Sequence, residues 1–516
     1  MKKQTIQEYI GKTLHLIRKK CRPSSHEEVS STKSTEERSP SILIAFLFFI
    51  GNVILHTKAL RTQARPFTDE GIRLHETKLM LEGYLPYKDF AMPDHVPFLM
   101  YLNGLLLKLC NFDIYTYHVI YTICVFSSIF PLFFTVLYFT RSRLASSFSV
   151  VLFSTFVECV QWDFRFFALR QGSFPFLALF IYFFFVKKKV KLSQIFLSFF
   201  SFSLVPNFLT GLAFVLAVFL YGCIEQRRCI REWMKKYMCT YWVFLLLNIV
   251  YFGIILLIPG SIANLFAEVK YSSSYLQLYL QRVAGVQGMM PLNWPIFLFG
   301  ALGIFFFLGD FVLLAILAIL TFMIVLLVPG PFYTHHLVVI SIPFSIMGGI
   351  FLHRVLLILS PHEVKSALVR TAFVIRKIAL VGIILFSLYQ TVYSYLAQTI
   401  VFDTTPDFFQ TIRVLEHTPE PLFAMQQIYA FYAQKELVKD YSLTDMRSLQ
   451  ARGDNLSYQE YDDIVRRSNT VLLESLANQM LPSGIKEEIF QQFSCIYSDG
   501  SESVYVRKTL MNNSSL

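Results

Sequence analysis

The sequence predicts a polytopic α-helical membrane protein with a small α/β domain at its C-terminal end. Three observations carry that prediction. Hydrophobic residues make up 54% of the 516-residue chain, 53 of them Phe, and only 16% of residues are charged. That balance is too apolar for a soluble chain of this length. Apolar stretches of bilayer-spanning length recur from about residue 41 to residue 397, the pattern of repeated membrane crossings. From residue 398 onward charged residues become frequent and no run is long enough to span.

Residues 1–40 form a basic tail, with Lys2, Lys3, Lys12, Arg18, Lys19, Lys20 and Arg22 ahead of any long apolar run. The tail is too long and too polar for a secretory signal peptide, so the run Ile42–Leu55 reads as a retained helix with a cytoplasmic N-terminus. Further spans are expected near 116–140, 144–161, 171–186, 192–206, 207–224, 238–258, 294–309, 311–328, 337–353 and 378–397. The total is about 11 helices, with a range of about 11 to 13. Basic loops mark the cytoplasmic side at Lys187-Lys188-Lys189 with Lys191, at Arg227-Arg228 through Lys235-Lys236, and from Arg354 to Lys377, as the positive-inside rule requires. The segment Phe98–Cys110 is apolar but short and carries Asn103 and Lys108. Runs of that length lie at an interface or re-enter more often than they span. Residues 58–114 are therefore expected to form one long external loop, within a membrane module of residues 41–397.

An odd number of spans places residues 398–516 outside the cytoplasm. Within them, Thr470–Glu474 reads as a strand and Gly484–Phe493 as a helix. Ile496-Tyr497 and Val504–Val506 flank Asp499-Gly500 as a hairpin, since Asp-Gly favours tight turns. The net charge of +11 sits at the ends of apolar runs and forms no basic-aromatic groove, which argues against nucleic acid. The eight cysteines fall mostly in apolar runs or basic loops and show no disulfide framework or Cys-x-x-Cys spacing, consistent with a reduced or buried setting.

Candidate chemistry concentrates in the first external loop. Asp69-Glu70 opens it, followed by Arg73, then Gly83-Tyr-Leu-Pro-Tyr87-Lys-Asp-Phe90, then Asp94-His95-Val-Pro97. An acidic pair near a membrane is unremarkable alone: acids favour the first turn of a helix, and Arg73 at i+4 from Asp69 could make a surface ion pair. The polar, turn-rich company of the pair, leading into an apolar helix, is what an active site at a membrane surface needs. Arg170, near the external start of a span, is a charge that is costly to retain without a purpose. Arg165, after Trp162-Asp163, is a second candidate; either could instead snorkel, or pair with Asp163. The adjacent His335 and His336 sit beside Tyr333 in an external turn, able to bind phosphate or sugar hydroxyls, yet no third metal ligand stands at a recognisable spacing. Tyr271, Tyr275 and Tyr279 share one helical face, suited to stacking on sugar or to the lipid interface, where Tyr is enriched anyway.

The order Asp-Glu, then Gly-Tyr-Leu-Pro-Tyr-Lys-Asp-Phe, then His-x-Pro before an apolar helix resembles the first external loop of the GT-C glycosyltransferases. The similarity is greatest to the branch of protein O-mannosyltransferases and bacterial lipid A aminoarabinose transferases. Ala168-Leu-Arg170-Gln-Gly-Ser-Phe-Pro is similar to an Arg-led span of that branch, and Tyr333-Thr-His335-His336-Leu with Pro343 to its late His-Tyr…Pro segment. The chain departs at Val205-Pro206-Asn207, where relatives often carry Lys, at Val96-Pro97 in place of paired prolines, and at His336 in place of Tyr.

The resemblance implies a GT-C fold in a bacterial cell membrane. It implies a polyprenyl-phosphate-linked sugar donor, and transfer with inversion to a lipid, glycan or protein acceptor outside the cytoplasm. Asp69 matches the family's catalytic acid and would serve as general base, with Glu70 orienting the acceptor. Adjacent carboxylates raise one another's pKa, which suits a base working near neutral pH. A planar guanidinium suits the phosphate leaving group, the role expected of Arg170 and Arg165. Arg73, Tyr87, Asp94, His95, His335 and His336 complete the expected substrate contacts. Some relatives use a divalent ion, and that requirement is left open, as is the identity of any cofactor. Two competitors share the membrane plan and the lipid-linked substrate: a flippase, and a polysaccharide polymerase or ligase. A transporter would show internal repeats and mid-membrane charges, neither visible here; polymerases and ligases place their large loop late.

Overall fold

A computed structural model describes residues 38–61, 68–90, 96–156, 171–225, 230–262, 275–307, 311–327, 334–358, 382, 385, 389, 406–438, 457–474, 477–478 and 481–511. The chain divides into two compact units, residues 1–46 and 47–516. The described part of the first is the beginning of helix α1 (Arg38–Arg61); the remainder of the chain forms the second.

Two short helices follow. The first, α2 (Thr68–Leu81), has Asp69 and Glu70 in the first turn and Lys78 in the last, matching the helix dipole at both ends. Gly83 stops it with φ +96, and Tyr84 N–H donates back to Leu79 O at 3.0 Å, the closure a glycine beyond a helix end allows. The second, α3 (Phe98–Leu109), has 12 residues, roughly 18 Å at 1.5 Å per residue and too short for a bilayer core of about 30 Å. It packs on α2.

The bundle continues through α4 (Ile114–Phe126), α5 (Ile129–Thr140), α6 (Arg143–Ser154), α7 (Phe174–Ile181), α8 (Val190–Ser203), α9 (Val205–Glu225), α10 (Ile230–Leu257), α11 (Tyr275–Phe307), α12 (Val312–Leu327) and α13 (Ser341–Ile358). A 3₁₀ turn, Gln171–Ser173, precedes α7, and another, Thr334–Ile340, precedes α13. Among the described residues three helices are long and apolar enough to cross a membrane: Ile114–Thr140, Val205–Ile224 and Leu337–Leu357. The other apolar helical stretches among the described residues are shorter, 10–17 residues. Of the segment 378–397, only Gly382, Leu385 and Tyr389 are described, each helical.

One boundary moved substantially. Helix α11 begins at Tyr275, about twenty residues before the expected span, and runs for 33 residues, roughly 50 Å. The stretch from Tyr275 to the expected start of that span at 294 is therefore helical, and the apolar run is only part of a longer rod.

Close packing uses small and polar residues as the bilayer setting demands. A Cβ on Gly303 of α11 would sit 2.7 Å from Met347 C of α13, so those backbones touch. Between α8 and α10, Gln194 Oε1 accepts from Phe244 N–H at 3.2 Å, and Asn248 Nδ2 donates to Ser198 Oγ at 3.4 Å.

The C-terminal domain is α/β, as expected. Helix α14 (Pro406–Glu416), strand β1 (Leu422–Phe423), helix α15 (Gln427–Tyr432) and helix α16 (Tyr458–Arg467) lead to β2 (Thr470–Leu473). Then come α17 (Ser483–Gln492), β3 (Phe493–Ser498), β4 (Ser503–Arg507) and α18 (Lys508–Met511). The sheet order is β1-β2-β4-β3, with β1 parallel to β2 and the other pairs antiparallel. The predicted hairpin turns at Gly500 with φ +91, and Asp499 Oδ1 accepts from the N–H groups of Ser501 and Glu502, both at 2.8 Å. Phe423, Val465, Val471, Ile485, Ile489 and Phe493 form the core beneath the sheet. The edge strand β1 and helices α15 and α16 were not foreseen.

Inside this domain Glu474 is fully buried, one carboxylate oxygen accepting from Gln426 N–H at 2.8 Å. Burial pushes its pKa up to about 7; backbone hydrogen bonds oppose the rise and the Glu502 charge adds to it. The folded state holds that proton above the ordinary carboxyl value, so the stability it contributes is present below pH 4.5 and lost as pH rises through 7. Glu474→Gln should therefore stabilise the fold at pH 8 by on the order of 3 kcal/mol, read as a higher thermal midpoint, and leave the midpoint unchanged near pH 4.5. Thermal unfolding of wild type and variant across pH checks this; parallel curves would refute it.

Candidate active site

Asp69 and Glu70 occupy the first turn of α2. Their side chains lie outside the described residues; the helix that carries them is walled in further along. Gly71, directly after the pair, faces Ile428 of α15, and a Cβ there would lie 2.5 Å from Ile428 N and 2.6 Å from its Cα. On another side, Gly104 of α3 meets Thr77, with a Cβ at 2.9 Å from Thr77 Cγ2.

Arg73 takes a partner that spacing alone left unweighed. Its Nη1 lies 2.7 Å from Glu76 Oε2, an i,i+3 ion pair in which the carboxylate is 2% exposed and the guanidinium 19%. Burial pushes the Glu76 carboxyl up, and Arg73 pulls it back. Beside them, His75 is 4% exposed, and among the described residues neither ring nitrogen has a hydrogen-bond partner. Burial first, and Lys78 second, hold its pKa down at about 4, so the imidazole is neutral. That neutral form stabilises the fold above pH 6.5, and the contribution is lost as pH falls through 4.

Tyr87 is held in the left-handed region at φ +69, a strained setting for a non-glycine residue. Its ring packs into an apolar cluster with Met80, Phe90, Val96, Leu99 and Ile255. Burial raises its phenol pKa, with Tyr251 and Glu76 adding to the rise, so it remains a proton donor. The cluster is tied to the bundle at one further point. Tyr251 Oη accepts from Phe98 N–H at 3.1 Å, and Phe98 stacks on Phe199 at 5.5 Å. Asp94 and His95 lie outside the described residues, between Phe90 and Val96, both of which are buried in this cluster.

Arg165 and Arg170 also lie outside the described residues. The turn that follows Arg170 does not: Gly172 sits against α3, a Cβ there lying 3.3 Å from Leu99 Cδ1 and 3.4 Å from Tyr121 Oη. The 3₁₀ turn Thr334–Ile340, which carries His335 and His336 in its backbone, lies beside the Gln171–Ser173 turn. The side chains of His335 and His336 are not among those described. Tyr275 and Tyr279 fall in the first turns of α11, and Tyr271 lies outside the described residues.

Three segments far apart in sequence thus adjoin in one chain of contacts: α2 with α3, the turn after Arg170, and the turn bearing the His pair. Among the described residues no three His, Cys, Asp or Glu side chains gather as a metal-binding set. Sequence reasoning passed over Glu76, His75 and the Gly71–Ile428 contact. The Arg73–Glu76 spacing was a readable signal; the other two depend on what α2 packs against.

No protein-family model matches the sequence, and no curated protein matches it. Solved structures do. The crystal structure of ArnT from Cupriavidus metallidurans bound to undecaprenyl phosphate superposes with a TM-score of 0.57 at 10% identity, covering 89% of this chain and 97% of that one. The apo structure of the same protein gives 0.59 at 11% identity with the same coverage. At this identity the likeness is one of fold. The chain shares the fold of these ArnT structures.

Proposed function

We propose that the chain is an integral-membrane glycosyltransferase that moves a sugar from a polyprenyl-phosphate donor to an acceptor on the extracytoplasmic side. One observation carries the reading: on a fold shared with an undecaprenyl-phosphate-bound protein, α2 packs on α3, α3 meets the turn after Arg170, and that turn lies beside the turn bearing His335 and His336.

The chemistry follows from what each group can do. Asp69 takes the proton of the acceptor nucleophile as that atom attacks the anomeric carbon, a general-base role. The bond from the anomeric carbon to the phosphate oxygen breaks, its electron pair leaves with the polyprenyl phosphate, and configuration inverts. Glu70 orients the acceptor. Arg170, with Arg165 in support, meets the growing phosphate charge with a fixed guanidinium fork. His335, His336, Asp94 and His95 contact sugar hydroxyls or phosphate. Arg73 and Tyr87 shape the site from behind, through Glu76 and the apolar cluster. About eleven spans, a cytoplasmic N-terminus and an external C-terminal domain in a bacterial cell membrane complete the reading.

The test uses full-length protein in vesicles supplied with labelled polyprenyl-phosphate sugars and membrane extract as acceptor. Labelled product with release of polyprenyl phosphate is the expected result. Sugar-lipid crossing the bilayer with no covalent product would replace this reading with a flippase.

A further inference from the structure

Helix α15 has six residues, far too few to hold its shape alone in water. Its position is set entirely by what grips it, and it is gripped on two sides. Toward α2, Ile428 meets Gly71 backbone to backbone, a contact that admits no side chain at residue 71. Toward the sheet, Gln426 N–H at the start of α15 donates to Glu474, and Tyr429 Oη donates to the Glu502 carboxylate. The Tyr429 ring also packs on Phe408 of α14 at 4.9 Å. Glu474 is 0% exposed and Glu502 4%.

Two buried carboxylates are an expensive way to hold a small domain together, since well-packed apolar residues serve as well or better. They are explained more economically by the direction they impose. Both hold the helix that, at Ile428, touches the chain two residues from Asp69.

We infer that α15 is a brace for the acidic helix: Glu474 and Glu502 fix α15, α15 through Ile428 fixes the backbone at Gly71, and these C-terminal residues are positioning residues for Asp69. The contact stands on geometry alone; what it does for catalysis rests on the glycosyltransferase reading. The C-terminal domain then belongs to the catalytic unit, because a displacement of about 1 Å at a reacting group costs on the order of a hundredfold in rate.

The experiment compares Gly71→Ala, Glu474→Ala and Glu474→Gln in the full-length protein, reading transfer kinetics and amide hydrogen exchange across residues 71–76. Gly71→Ala must push α15 away, since the obstruction is backbone. Glu474→Ala removes the acceptor for Gln426 N–H, and Glu474→Gln keeps it. The expected result is kcat lowered about 30- to 100-fold by Gly71→Ala and Glu474→Ala, with polyprenyl-phosphate affinity within about threefold of wild type. Glu474→Gln should stay within about threefold of wild type on both readouts. Exchange at 71–76 should rise in the two damaging variants alone. If Glu474→Ala unfolds the C-terminal domain, seen as lost protection in β2 and β4, Gly71→Ala, which lies outside that domain, still decides. Unchanged kcat and exchange in Gly71→Ala would overturn the inference, and so would a Glu474→Gln as damaging as Glu474→Ala. Faster exchange at 71–76 in a protein whose wild type transfers no sugar would support the brace and remove only the glycosyltransferase reading.

Discussion

Asp69→Asn lowers kcat for sugar transfer by about a thousandfold, within the 10²- to 10⁴-fold range of a general base, while polyprenyl-phosphate affinity stays near that of wild type. The amide keeps the size and hydrogen-bonding reach of the carboxylate, so the fold is undisturbed; what it lacks is the capacity to take a proton. Glu70→Gln serves as the contrast. As an orienting group its loss should raise the acceptor KM more than it lowers kcat, because binding shared by ground and transition states appears in KM. Single-turnover transfer from a labelled donor separates the two. An Asp69→Asn protein that transfers at the wild-type rate would remove the base from α2.

The second large effect is thermodynamic. Arg73→Met leaves the Glu76 carboxylate, 2% exposed, without its cation. Stranding one member of a buried ion pair costs about 3–5 kcal/mol, read as a lower thermal midpoint. The loss should be greater at pH 8 than at pH 5, since Glu76, whose pKa burial already raises, escapes the penalty by binding a proton. Adding Glu76→Gln should recover most of the stability, because the pair is then removed instead of broken. Should Arg73→Met leave the midpoint unchanged at pH 8 and raise only the donor KM, Arg73 would be a direct substrate contact.

Much of the architecture was readable from the chain. The apolar runs read from the sequence coincide with helices in the described residues, because burial in lipid demands unbroken apolar runs with satisfied backbone, and such runs are visible without partners. Three of those helices are long and apolar enough to cross a membrane. The Asp499-Gly500 turn, the strand at Thr470 and the helix near Gly484 followed from local rules for turns and alternation. The α11 start was misplaced, because a helix that leaves the membrane loses its apolar signal while keeping its hydrogen bonds. Strand β1, two residues long, carries almost no local pattern; its pairing with β2 is purely a matter of tertiary context.

By itself, then, the sequence determined the membrane class, the acidic start of α2 and the motif order of the first loop, all properties of near neighbours along the chain. Only the tertiary structure decided which segments meet. It set the turn after Arg170 against Leu99, gave Arg73 to Glu76, and laid Ile428 on Gly71 across some 350 residues. Such contacts depend on shape complementarity between distant surfaces, and no local propensity encodes which glycine will be touched, or by what.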